Sequence, residues 1–580
     1  MRLKQLPQTL KIIYIGLSTL GKDAMYTIRF RTEAGDESKV SAKPGDNVLE
    51  LAQAIGVPID APCGGSGTCG KCRGRLISGI VEHTKSIKLE DEDYNDGWRL
   101  LCQSEVIGDA VFWIPASAAS FQRGINTADL SSPAKRKQYE ETLGKIFGEG
   151  GLALGRKGAK YGIAIDIGTT TVAGALIEIE THKILSQASM GNGQIRYGAD
   201  VINRIISQGR ENGIEKLQHA VREETIIPIV EQICEQGEVA LDAIDCVVIA
   251  GNTTMEHLFA GVDGASIRLE PFVPKFLELH DQTAGMLGLP FREDVPVILA
   301  PNVGSYVGGD ITAGVLSSML WNSEEMTLFL DLGTNGELVY GNSDYMLCCA
   351  CSAGPAFEGG DISCGMRASK GAICSCTIDP ETYEPHYETI DDEKPVGICG
   401  SGIIDIVAEL FTTGMVNGKG KFSVESDRVI YDEFSARYVL ATEEESGNGS
   451  EVSINETDLD NFIRAKGAIF SAIYTMLKSL DMPVEEVDRI IIAGGIGSGI
   501  NIPNAIKIGM IPNIPVEKYD YIGNSSLSGA CAMLVSEEAE QKVFAIGRNM
   551  TYLELSTQPG YMDEFVAACF LPHTNASLFE

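Results

Sequence analysis

Y-G-I-A-I-D-I-G-T-T-T-V (residues 161–172) and T-L-F-L-D-L-G-T-N-G-E-L-V-Y (residues 327–340) say the same thing twice. Each opens as an apolar, β-branched run of the kind that forms a buried strand. Each reaches an aspartate, Asp166 or Asp331, then turns on a glycine and small polar residues before a second strand begins. A strand–turn–strand unit repeated in successive parts of one chain is the mark of a duplicated α/β unit. C-V-V-I-A-G (residues 246–251) and V-P-V-I-L-A-P (residues 295–301) read as further strands among helical patterns. I-I-I-A-G-G-I-G-S-G (residues 490–499) ends another strand on a glycine pair. The first lobe is therefore expected over residues 161–325 and the second over residues 326–580.

The turns carry chemistry. Gly168 lets a phosphate approach backbone N–H groups, and the hydroxyls of Thr169, Thr170 and Thr171 add donors. The Asp166 carboxylate can hold Mg²⁺, directly or through water. Gly333, Thr334, Asn335 and Gly336 offer the same chemistry from the second lobe, with Asp331 as the second candidate Mg²⁺ ligand. Bare backbone at Gly494 and Gly495 would let an adenine–ribose moiety lie flat. Glu337 either orients the water that attacks the phosphate or faces solvent from its strand, and both readings stay open. G-N-T-T-M (residues 251–255) and G-I-C-G-S-G (residues 397–402) precede helical patterns, where anion binding and plain helix capping explain them equally well. One Asp-x-Gly at a strand end is only a turn. Three such motifs in this order resemble the ATPase superfamily of actin, the heat-shock chaperones and the sugar kinases. That resemblance implies two RNase-H-like lobes with ATP between them, and Asp166, Asp331 and Glu337 as catalytic residues. No G-x-x-x-x-G-K-[ST] run is present, so the chain is not a P-loop protein.

Upstream the texture differs. Y-T-I-R-F-R-T (residues 26–32) alternates as a half-buried strand, and residues 48–55 carry helical spacing after the turn Pro44-Gly45-Asp46. An apolar strand over residues 110–114 closes this unit near Pro115. Within it lies Cys63-x5-Cys69-x2-Cys72, with Cys102 farther on. Three thiolates on one glycine-rich loop and a fourth from a distant strand suit an iron–sulfur cluster whose sulfides take backbone N–H bonds. Four-cysteine zinc sites are the alternative, but they usually pair their ligands as two separate C-x2-C knuckles. Residues 25–115 resemble a β-grasp [2Fe–2S] ferredoxin, with the first gap closer to the adrenodoxin-like spacing than to the plant type. Lys71, Arg73 and Arg75 flank the third ligand, as potential-raising charges, a docking patch or a solvated strand edge. Residues 116–160 read as a linker or docking element with one helix over residues 134–147. Residues 1–24 read as an extension, expected to be disordered, with Met25 as an alternative start. Its apolar run is short and broken by Gly16 and Ser18, so no export is expected.

Composition narrows the function. The 580 residues carry 46 Lys+Arg against 80 Asp+Glu, a formal charge of −34. Such a field repels phosphate backbones, which argues against nucleic acid or an anionic membrane as partner. No apolar run nears the roughly 20 residues needed to span a bilayer. The 15 cysteines show one metal-like spacing and no disulfide framework, which implies reduced thiols and a cytoplasmic location. Cys348, Cys349 and Cys351 read as small buried hydrophobes on a strand, since alternation would split the first two between opposite faces. Acidic stretches over residues 377–395 and 425–460 read as surface insertions or edge hairpins.

A ferredoxin domain fused to an ATPase of this superfamily is an uncommon combination. Together with G-A-D-V-I-N-R-I (residues 198–205), S-A-G-P-A-F-E-G (residues 352–359), C-G-M-R-A (residues 364–368), G-I-C-G-S-G-I-I-D (residues 397–405) and G-N-S-S-L-S-G-A (residues 523–530), it resembles the reductive activators of corrinoid proteins. The resemblance implies one-electron reduction of Co(II) corrinoid to Co(I), coupled to ATP hydrolysis through a [2Fe–2S] cluster and Mg²⁺. Its implied partners are a corrinoid protein of a methyltransferase system, met transiently, and a donor such as a ferredoxin or flavodoxin. The linker and the resemblance also allow a homodimer. A small-molecule kinase with a redox-sensing ferredoxin domain, Asp331 serving as general base, is the alternative reading.

Overall fold

The computed structural model describes residues 24–579, apart from positions 34, 58, 60, 62, 64, 68, 85, 87, 90, 116–117, 119–124, 129, 131–132, 433–434 and 496–498. The extension expected to be disordered lies outside the described residues up to position 23. The chain divides into two compact units, Met1–Arg123 with Gly193–Arg210, and Gly124–Asn192 with Glu211–Glu580.

The first unit holds a five-stranded sheet in the order β2-β1-β5-β3-β4. Its strands are β1 Tyr26–Thr32, β2 Glu37–Ala42, β3 Arg73–His83, β4 Trp98–Leu100 and β5 Ser104–Ile114. β1 alternates as its sequence demands, with Ile28 and Phe30 fully buried. Phe30 stacks on Phe112 of β5, its parallel neighbour, at 6.1 Å between ring centres. β5 starts earlier than the apolar run suggests, because its inward set Val106, Gly108, Ala110 and Phe112 is interleaved with exposed Glu105 and Asp109. The helix Val48–Ala54 starts where Asn47 caps it, the Asn47 side chain accepting the N–H groups of Leu49 and Glu50. The same side chain donates to the Cys102 carbonyl at 2.9 Å. Gly193–Arg210, which the sequence places in the first lobe, clusters with this unit as a helical turn Gly193–Tyr197 and a helix Val201–Gln208.

The second unit repeats one topology. Strands β7 Tyr161–Ile167, β8 Thr171–Glu178 and β9 Lys183–Gly191 form an antiparallel meander, and β10 Ile244–Gly251 and β12 Pro296–Leu299 add in parallel beside β7. With β6 Asn126–Thr127 and β11 Gln282–Thr283 on the edges, the order is β11-β12-β10-β7-β8-β9-β6. The second sheet runs β23-β22-β13-β14-β15-β24. Its meander is β13 Thr327–Leu332, β14 Gly336–Gly341 and β15 Met346–Cys351; β22 Arg489–Ala493 and β23 Tyr519–Tyr521 join in parallel beside β13, and β24 Met550–Tyr552 lies beyond β15. Meander, then parallel additions beside the first strand, is the RNase-H-like order, and it occurs twice. Cys348 faces one apolar core and Cys349 and Cys351 the other, as alternation requires.

Two segments are more integrated than their polarity suggests. The linker adds β6 to the first sheet, then a helix, Pro133–Gly144, and buries Ile146 beyond it. Residues 425–460 form β19 Val429–Tyr431, β20 Ala436–Ala441 and β21 Val452–Asn455, a three-stranded sheet that buries Tyr438 and Ile454 completely. They then enter the long helix Glu456–Ser479 through a reciprocal cap between Asn455 and Asp458. Their charges occupy the outward positions, which hid the inward ones from a reading by composition. Residues 377–395 do form a hairpin, between β16 Ala372–Ile378 and β17 Pro385–Thr389.

Asn47 gives a direct test, since it fixes both a helix start and the backbone of one thiol. Asn47→Ala is expected to cost about 1–2 kcal/mol in urea unfolding of the first unit. Asn47→Asp keeps the cap acceptor but not the donor, so it should recover only part of that loss. Full recovery would show that the bond to Cys102 contributes nothing.

Candidate functional site

The four clustered cysteines meet in two pairs. Cys63 and Cys69 sit with their sulfurs 3.3 Å apart on the loop between the helix Val48–Ala54 and β3. Cys72 at the foot of β3 hydrogen-bonds through its side chain to Cys102, on the helical turn Leu101–Gln103. The Leu101 N–H donates to the Cys72 carbonyl at 2.9 Å and locks the two segments together. The Cys69 thiol is pushed far up by its bond to Cys63 and then by burial; Cys72 is pushed up by Cys102 and then by burial, while Cys102 is lowered by its bond to Cys72. Among the described residues no three His, Cys, Asp or Glu side chains converge as one metal ion would need. Two thiol pairs, crowded and costly to ionise without a cation, instead suit a centre of two irons with one pair on each. The residues therefore fit a [2Fe–2S] cluster. N–H donors already face the sulfurs: the Lys71 amide is 3.5 Å from Cys69 Sγ and Gln103 Nε2 is 3.8 Å from Cys102 Sγ. Of the flanking cations, Arg73 pairs with Asp93 at 3.0 Å and Arg75 with Asp96 at 2.8 Å, so both are largely neutralised.

The second site lies in the other unit. Asp166 near the end of β7 and Asp331 near the end of β13 are held by one short run, Asn524-Ser525-Ser526. Asn524 and Ser526 donate to Asp166 at 2.9 and 2.8 Å, and Ser525 donates to Asp331 at 3.0 Å. This run opens the helix Ser525–Val535 and was legible only as G-N-S-S-L-S-G, with no chemistry attached. Glu337 stands opposite Asp331 in the β13–β14 register and is 5% exposed, which removes the solvent-facing reading. A fourth carboxylate, Asp310 in the first turn of the helix Gly309–Ser318, was missed by the sequence reading. The only signal for it was an aspartate after paired glycines. All four are raised. Burial acts first in each case, and the Ser525 bond lowers Asp331 while the Asp166 charge lifts it, leaving it at about 6. Asp310 is lifted further by the charges of Asp331 and Asp166, and Glu337 by those of Asp310 and Asp331.

The two glycine–threonine turns face each other. Thr170 Oγ1 and Thr334 Oγ1 are 2.6 Å apart, and Thr334 donates to Glu358 Oε1 at 3.0 Å, so Thr170 is the donor in the first contact. Glu358 Oε2 is buried with no partner among the described residues. Asn252 donates to Thr169 Oγ1 at 3.0 Å while capping the helix Thr253–Phe259, so the cap and the turn share one residue. Arg367 donates to the Thr170 carbonyl at 3.1 Å. Gly333, Thr334 and Asn335 form the second turn, closed by Gly333 N–H to Asn335 O at 3.0 Å. Thr171 and Gly336 fall instead on β8 and β14. Gly494 has φ +94°, and a Cβ there would lie 2.9 Å from Asp331 Oδ1, so only glycine fits. Among the described residues, nothing lies within 4 Å of where a Cβ on Gly495 would stand. Gly168 opens the first turn, its carbonyl held by Asn192 Nδ2 at 2.9 Å. Gly400 to Gly402 begin the helix Gly400–Thr412, with Ser401 Oγ on the Cys374 carbonyl rather than free for an anion.

Four crowded carboxylates, Glu337 buried and the three aspartates half-buried, penalise the nucleotide-free cleft. A carboxyl raised in the folded state adds stability at low pH and loses it as pH rises through its folded value. The nucleotide-free protein is therefore expected to lose stability between the ordinary carboxylate range and about pH 6, where Asp331 titrates. Glu445, held at about 2 by Arg428, stays ionised in the folded state throughout that window, and its opposing slope is confined to the lower end, where the unfolded carboxyl still titrates. Asp310→Asn should raise the nucleotide-free melting temperature by roughly 2 °C or more and flatten this slope. An unchanged melting temperature and slope in calorimetry would show that the crowding carries no penalty.

Comparison with known proteins covers nearly the whole chain. Residues 31–106 match the 2Fe-2S iron-sulfur cluster binding domain, residues 161–323 the RACo middle region and residues 325–580 the C-terminal ASKHA domain of RACo. The corrinoid activation enzyme RamQ of Eubacterium limosum is 30% identical, over 91% of this chain and 97% of that protein. The Co(II) methylated amine-specific corrinoid protein reductase of Methanosarcina barkeri is 24% identical, over 67% of this chain and 73% of its own length. A solved structure, the reductive activator for corrinoid, iron-sulfur protein, superposes with TM-score 0.69 at 37% identity, covering 96% of this chain and 99% of that one. An iron–sulfur fold and a duplicated ATPase fold in one chain, matched over this length, place it in a single family: the chain belongs to the reductive activators of corrinoid proteins.

Proposed function

We propose that the chain uses ATP to drive single electrons onto a corrinoid protein, returning its cobalt from Co(II) to Co(I). The observation that carries this is the presence, in one chain, of two thiol pairs and of a carboxylate-floored cleft with facing Gly-Thr turns. Relatives named for corrinoid activation and for Co(II) corrinoid protein reduction support the choice of acceptor.

Cys63 and Cys69, with Cys72 and Cys102, would hold the [2Fe–2S] cluster, which supplies a one-electron carrier when bound. The loop's N–H donors stabilise negative charge on the sulfurs, and the half-buried position shields them from water. In the cleft, Asp166 and Asp331 would hold Mg²⁺, mostly through water, as that ion prefers. Gly168 to Thr170 and Gly333 to Asn335 would clamp the phosphates from either side, with Arg367 steadying the first turn. Glu337, 5% exposed opposite Asp331, would orient the attacking water and could take its proton only once a cation in the cleft offsets the burial and the Asp310 and Asp331 charges that keep the carboxyl protonated. The open backbone at Gly495 leaves room for the adenosine.

ATP is needed because Co(I) is a very strong reductant, and its formation from a ferredoxin-like donor runs uphill. Each 59 mV of mismatch for one electron costs a factor of about ten. Binding one corrinoid state better than the other, with hydrolysis driving release, supplies the missing free energy. The donor is proposed to be a ferredoxin or flavodoxin and the acceptor a corrinoid protein of a methyltransferase system, both met in the cytoplasm. No helix of the described residues is long and apolar enough to cross a membrane.

Two variants separate the halves. Cys69→Ala should abolish cobalt reduction yet retain ATP hydrolysis, measured as phosphate released to water. Asp331→Ala should lower hydrolysis by roughly a hundredfold or more while keeping the visible spectrum of the cluster. Phosphate transferred to an added hydroxyl acceptor instead of water would favour a kinase and overturn the proposal.

A further inference from the structure

Residues 354–359 carry a side chain that the functional reading leaves unused. Pro355–Glu358 make one tight helical turn between Gly354 and Gly359, whose φ values of +77° and +79° reverse the chain on either side. A Cβ on Gly359 would lie 2.3 Å from the Met366 amide nitrogen, so the turn is pressed against its neighbour. Phe357 is buried and meets Phe462 edge-on, at 5.4 Å between ring centres. These contacts fix the next residue, Glu358, against the second Gly-Thr turn. Its Oε1 accepts the Thr334 hydroxyl at 3.0 Å and lies 3.6 Å from where a Cβ on Gly333 would stand. Its Oε2 is buried with no partner among the described residues. Arg367 donates to the Thr170 carbonyl at 3.1 Å; burial pulls its guanidinium below the usual range, and the Glu358 charge opposes that pull.

A carboxylate only accepts, so the Thr334 proton is committed to Glu358. Thr170 Oγ1, 2.6 Å away, gives its own proton to one lone pair of Thr334 Oγ1. What Thr334 has left is a second lone pair and no proton. A phosphate oxygen, itself an acceptor, finds no donor there. A water does better, since it can give a proton to Thr334 and keep a lone pair for attack. We propose that Thr334 and Glu358 handle the water of the hydrolytic step, Thr334 orienting it and Glu358 positioning Thr334 and receiving the proton that Thr334 passes on. As the water oxygen bonds to the terminal phosphorus, its proton moves to Thr334 Oγ1 and the Thr334 proton moves to Glu358 Oε1. The bond from that phosphorus to the bridging oxygen breaks, and its electron pair leaves on the diphosphate. Thr334 ends with one proton, as it began, and Glu358 holds the proton that the water lost. The phosphates themselves are left to the backbone N–H groups of the two turns. Glu337 is the poorer destination, because burial and the charges of Asp310 and Asp331 already hold a proton on it. Glu358 meets a neutral hydroxyl instead.

The inference rests on the functional reading above, and the two can fail separately. Single-turnover hydrolysis of Mg-ATP by the full-length holoprotein, read as phosphate released to water, is the test. Glu358→Gln should lower the rate constant roughly a hundredfold or more, while the ATP concentration for half-saturation moves by less than about threefold. Thr334→Val should lose as much. Combining the two should cost no more than either alone, because residues that act as a unit are not additive. Thr334→Ser, which keeps the hydroxyl, should recover most of the rate lost in Thr334→Val. Binding of Mg-ADP checks that the cleft of each variant is folded; should Glu358→Gln fail that check, the serine and valine variants decide. If Glu358→Gln binds Mg-ADP and hydrolyses ATP at the wild-type rate, the inference is overturned. It is also overturned if Thr334→Val weakens half-saturation with the rate constant unchanged, since Thr334 then serves the phosphates, or if the two losses multiply in the double variant. If the wild type releases no phosphate to water, the functional reading itself fails.

Discussion

Everything in the nucleotide-binding unit depends on a repulsion. Asp166, Asp331 and Glu337 at strand ends and Asp310 at a helix start are brought close together, with burial raising each and their neighbours' charges raising three of the four. The fold tolerates this because one helix start, Asn524 to Ser526, donates three hydrogen bonds to the two aspartates at the base. Under the proposed function, a cation arriving with a nucleotide would offset this charge. Repulsion of this kind gives ligand binding the differential free energy that a conformational machine requires.

The iron–sulfur unit works by the same principle on a smaller scale. Four thiols are held in two pairs that are costly to ionise while only thiols meet thiols. Asn47, Leu101 and Gln103 position the fourth cysteine against the loop of the other three. Both units are thus preorganised at an energetic cost for a charge that the polypeptide itself does not supply. Side chains fixed in advance lose little freedom when that charge arrives, which favours small reorganisation during electron transfer and phosphate cleavage alike.

Much of this was legible in the sequence because the chemistry sits at strand ends, where motifs are short and contiguous. The cysteine spacing and the two Asp-x-Gly-Thr turns named the pieces, and alternation placed Ile28, Phe30 and the split between Cys348 and Cys349. Asp310 was not legible, since a lone aspartate entering a helix looks like a favourable cap until its neighbours are known. Asn524 to Ser526 were visible as a motif but mute, because their partners lie more than 190 residues away in the chain. Residues 425–460 misled by composition: a strand that buries every second residue shows mostly its polar half. The placement of Gly193–Arg210 beside the cluster loop could not be read at all, since its helical pattern suited any apolar face.

The central claim is that nucleotide turnover makes an unfavourable electron transfer proceed. Its most direct measurement is the growth of the Co(I) absorption band when a Co(II) corrinoid protein is mixed anaerobically with this protein and a reductant of fixed potential. The account predicts that the band grows with Mg-ATP and stays near its equilibrium floor without nucleotide or with ADP. Equal growth in all three, or none in any, would contradict it.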